Sequence, residues 1–188
     1  MYLHGLVGGV QLVAAQLVFV ELLRNPSPGG VRFAVPTVVG AGGMIVLLYV
    51  CAHHLNHVRA DGEDIDLAHW VIGAALTSAG IITGIGRARI QHGQLHELAL
   101  PVSNIVVGTL FLVHGNGGFG DLVLHLSIAA TLVLSALAHI AVILAEEEAR
   151  SLRLFSSMLL AVGAVRLCFY EADQSPAATA ADHRHFED

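Results

Sequence analysis

Long apolar runs, broken by short polar connections, predict the elements of this chain. A helix crossing a hydrocarbon core needs roughly 20 mostly apolar residues. Six stretches qualify, the fourth of them short: Tyr2 to Leu23, Phe33 to His57, Ile65 to Gly86, Glu97 to His114, Gly120 to Ala145 and Ser151 to Tyr170. The first is closed by Arg24-Asn-Pro-Ser-Pro-Gly-Gly, which cannot continue a helix. Pro36 is expected in the first turn of the second, where proline is tolerated. Short connections make sequence neighbours antiparallel neighbours in space. The expectation is an all-α, polytopic transmembrane bundle of six helices over residues 1–170, followed by a polar, acidic tail over 171–188.

Composition agrees with that pattern. The chain has 188 residues, 55% hydrophobic and 13% charged, too little polar surface to cover a water-soluble globule of this size. A lipid bilayer is therefore the expected surrounding. The first segment follows Met1 with no charged leader and no small-residue cleavage site, so it reads as a retained span. The net charge of −6 provides no basic footprint for nucleic acid. All nine basic residues are arginine, and without lysine a Schiff-base cofactor has no amine to bond.

Arginine placement predicts orientation. Arg24, Arg32, Arg87, Arg89, Arg150 and Arg153 follow the odd segments, whereas the other connections hold only Arg59. The arginine-rich side is expected to be cytoplasmic, with both termini outside a cell membrane. A weak repeat accompanies this: the odd segments open alike, as Leu3-His4-Gly, Ala68-His69-Trp and Leu124-His125-Leu, which suggests repeated helical hairpins.

Histidine is the candidate chemistry. His4, His53, His54, His57, His69, His114 and His125 all fall at the same, outer, ends of their segments. In the second segment His53 and His57 are four apart, and His54 and His57 three apart, so either pair shares a helix face. Imidazole suits copper, zinc and haem iron, while three methionines and two cysteines are too few for a soft copper(I) site. These seven histidines are the expected metal ligands, with haem b or copper as the cofactor. Arg166, inside the last segment, is positioned for a haem propionate or a lipid phosphate, with snorkelling as its simpler role.

The spacing of His125 and His139, fourteen residues or about 21 Å of helix, resembles that of membrane b-type cytochromes, which stack two haems across the bilayer. A haem near His139 would need His92 or His96 as its second ligand. The boxes His53-His54-x-x-His57 and His92-x-x-x-His96 resemble those of membrane di-iron desaturases and hydroxylases, but the expected topology puts them on opposite sides of the membrane. The leading expectation is a redox protein passing electrons, or the membrane part of an oxidoreductase. The alternatives are an accessory subunit packed against other membrane subunits or a second copy, and, ranked lower, a metal or proton transporter. Cys51 and Cys168 read equally as a disulfide in an oxidising compartment or as two thiols.

Overall fold

The computed structural model describes residues 3–23, 31–57, 67–89, 95–114, 119–145 and 150–169. These form six helices: α1 Leu3–Leu23, α2 Val31–His57, α3 Leu67–Ala88, α4 Ala99–His114, α5 Phe119–Ala145 and α6 Arg150–Phe169. A 3-10 turn, Leu95–Leu98, leads into α4. All six are long and apolar enough to cross a membrane, counting that turn with α4, and the described residues contain no strand. The acidic tail from Glu171 lies outside the described residues.

Each helix packs on the next in sequence, and α6 packs back on α1, so the bundle closes into a six-membered ring. Because the neighbours are antiparallel, one end gathers the starts of α1, α3 and α5 with the ends of α2, α4 and α6. This is the histidine end, and the opposite one is the arginine end. The interior is filled by Val46, Leu76, Val107, Phe111, Ile128, Leu132 and Leu167, each almost fully buried. The outside stays apolar, with Leu48, Ile81, Ile82, Val113, Leu144, Met158 and Phe169 exposed. Helices apolar on every face are what a bilayer selects.

Close packing between α2 and α3 depends on glycine. A Cβ on Gly80 would strike the Cα of Gly40 and the carbonyl oxygen of Pro36, so the two backbones meet where neither carries a side chain. Polar ties are few. Gln11 Nε2 in α1 donates to Asn104 Oδ1 in α4 at 3.0 Å, across the ring. Ser135 Oγ in α5 donates to Ser156 O in α6 at 2.7 Å, and Ser156 Oγ returns a bond to Ser135 O at 2.9 Å. Bonds of this kind contribute roughly 0.6 kcal/mol each in a bilayer, up to about 2.

Two expectations need correction. The second helix begins at Val31, so Pro36 sits inside it, past the first turn. The fourth begins as a 3-10 turn, which leaves Pro101 in the first turn of the α-helix, where its missing N–H costs nothing. Cys51 and Cys168 are free thiols, each half-buried, and α1 stands between their helices. The Cys168 thiol points to the carbonyl of Gly5 at 3.9 Å.

Candidate functional site

At the histidine end, His4 and His69 meet, and His125 joins them through Phe111. His4 lies 5.7 Å from His69, ring centroid to ring centroid, and 5.7 Å from Phe111. Phe111 in turn lies 5.8 Å from His125. Phe111 and His125 are both 2% exposed and stand inside the ring, whereas His4 and His69 are half-buried. Each ring is placed by its helix: His4 and His69 sit in opening turns, His125 in the second turn of α5, and Phe111 one turn before the end of α4. The repeated histidine register that marked the odd segments in sequence therefore places one imidazole from each of α1, α3 and α5 at this end.

Of the other expected ligands, His53, His54 and His57 lie on the last turns of α2, and His114 closes α4. Those helix ends belong to the same end of the ring, and their side chains lie outside the described residues. Among the described residues, no group of three or more His, Cys, Asp or Glu side chains is placed to hold a metal ion. Arg166 is exposed on α6.

The arginine end holds a second group, most of it unanticipated. Arg87, near the end of α3, donates from Nε and Nη2 to the two carboxylate oxygens of Glu97, each at 2.7 Å, a bidentate fork. Its Nη1 donates to the backbone carbonyl of Arg32 and stands 3.7 Å from Glu21 Oε1. Pro36 accounts for that backbone acceptor. Residue 36 has no N–H, so the Arg32 carbonyl, four residues earlier, lacks its helical donor and is available to the guanidinium.

His96 is placed beside this pair by two contacts. Its carbonyl accepts from Thr83 Oγ1 at 3.1 Å, and its ring occupies the space that a Cβ on Gly86 would fill. His96 Nε2 then lies 3.3 Å from Glu97 Oε1. Glu21, Arg32, Arg87, His96, Glu97, His139 and Arg153 line one cavity of about 410 Å³, whose walls include Val18, Val35, Leu100 and Val142. Every helix of the ring contributes, so the cavity lies on the ring axis. His139 and His96 do share it, as a haem near His139 would require, but the His96 ring is engaged with Glu97.

Glu21 and Glu97 were missed because charges at span ends read as ordinary interfacial residues. One signal was available: Glu21 is the one carboxylate in an otherwise uncharged first helix. No protein family, curated protein or solved structure matches the chain.

Proposed function

We propose that the protein is a multi-pass protein of a cell membrane, with the histidine end and both termini outside. In this reading it holds a redox-active metal at that end and serves in electron transfer or as the membrane part of an oxidoreductase. The observation supporting this is the meeting of His4 and His69, from different helices, beside Phe111 and His125.

Spacing helps to choose between the two cofactors. A metal–imidazole bond of about 2.0–2.1 Å puts each ring centroid about 3 Å from the ion, hence two ligands of one ion about 5–6 Å apart. His4 and His69, at 5.7 Å, stand at that separation. A haem would need a macrocycle's width beside them, where Phe111 is packed. A single ion, with copper first by ligand type, fits these residues better. His57 or His114, on the helix ends that close the same end, would complete the coordination. Arg166 then has no propionate to bind, and snorkels.

Metal analysis and a visible spectrum of the purified protein test this. The expected result is about one copper per chain without a Soret band, and loss of the metal in His4→Ala and His69→Ala. A Soret band would restore haem b. Neither metal nor haem in the native protein would favour an accessory subunit of a larger membrane complex.

A further inference from the structure

The geometry points to the axial cavity at the arginine end as a binding site for a small, water-soluble anion carrying a carboxylate or phosphate group. Access comes first. Among the described residues all six helices line the cavity and the ring closes laterally through α6 and α1, which favours a route along the axis from the aqueous phase on that side over one between helices from lipid.

Charge comes second. Among the described residues, three guanidiniums line the space against two carboxylates. Arg87 is committed, held by Glu97 in a fork and by the carbonyl of Arg32. The side chains of Arg32 and Arg153 make no ion pair or hydrogen bond among the described residues, and both residues are exposed and border the cavity. His139 also faces the cavity, with no hydrogen bond among the described residues. Two planar forks and an imidazole around one opening match the oxygens of a carboxylate or phosphate.

The inner groups give the site its floor. Glu97 is paired with Arg87 in a fork and lies beside His96, and it makes no ion pair with Arg32 or Arg153 among the described residues. Glu21 stands beside Arg87, its Oε1 buried without a hydrogen bond, and so limits how deeply an anion descends. The ligand is therefore held near the mouth by Arg32 and Arg153. A volume of about 410 Å³ lies within the range of ordinary small-molecule sites.

The test is titration of inorganic phosphate into the full-length protein in phosphatidylcholine nanodiscs, followed by calorimetry. Saturable one-to-one binding is expected, weakened on the order of tenfold or more in Arg32→Gln and in Arg153→Gln. Arg166→Gln, an exposed arginine at the other end, should leave affinity unchanged. The Arg32 substitution keeps the backbone carbonyl on which Arg87 rests, so a thermal transition like that of the native protein confirms that the fold is intact. Absence of phosphate binding in the native protein, or equal losses in all three variants, overturns the proposal. A parallel titration in nanodiscs containing phosphatidylglycerol separates the two sources of phosphate. Retained binding supports a soluble anion, and its abolition by the anionic lipid means that a headgroup is the occupant and overturns the axial-entry argument.

Discussion

Arg87 shows how one residue concentrates the consequences of several others. It serves two carboxylates and a carbonyl, and that carbonyl is available because residue 36 is proline. Arg87→Met leaves Glu97 and Glu21 at the wall of the cavity without their counter-charge. A loss of about 3 kcal/mol in reversible unfolding is expected, and Arg87→Met with Glu97→Met should recover most of it. Pro36→Ala gives the Arg32 carbonyl its helical donor back and removes an acceptor from Arg87. The two sites should therefore be coupled: Pro36→Ala and Arg87→Met together should cost about 1 kcal/mol less than the sum of the single changes. Strict additivity would mean that the guanidinium gains nothing from that carbonyl.

Between elements, packing depends on which small residues face a neighbour. Gly80→Ala puts a methyl into the backbone of α2 and should destabilise the bundle by about 1–3 kcal/mol. Gly9, with nothing within 4 Å of its added Cβ, should accept alanine and gain up to about 1 kcal/mol of helix propensity. Thermal unfolding in one detergent compares the two, and equal effects would contradict the close approach of α2 and α3. Sequence could not separate these glycines. In a span whose lipid face and core face are both apolar, the pattern reveals that a helix crosses but not which side it turns inward. The six spans and their packing in sequence order were legible, and the closure of α6 on α1 was not. The gathering of His4, His69 and His125 was legible because polar groups are scarce there and their register repeats. The Arg87–Glu97 pair was not, because its partners stand on either side of a helix connection, where charges are ordinary.

At the scale of the molecule, the two polar groups occupy opposite ends of one closed ring, separated by a packed apolar middle that includes Leu76, Ile128 and Leu132. Each end therefore meets its own aqueous phase, and orientation decides which chemistry faces which compartment. The arginine bias predicts the Arg87 end inside and the His69 end outside. Leu67 at the histidine end is 74% exposed and Leu95 at the arginine end is 80% exposed, so cysteines placed there are accessible without disturbing the core. In a background with Cys51→Ser and Cys168→Ser, a membrane-impermeant maleimide added to intact cells should label Leu67→Cys at once. Leu95→Cys should be labelled only after permeabilisation. The reverse order would put the imidazoles in the cytoplasm and the cavity outside, exchanging the compartments that would supply the proposed metal and the proposed anion while leaving both sets of side-chain contacts in place.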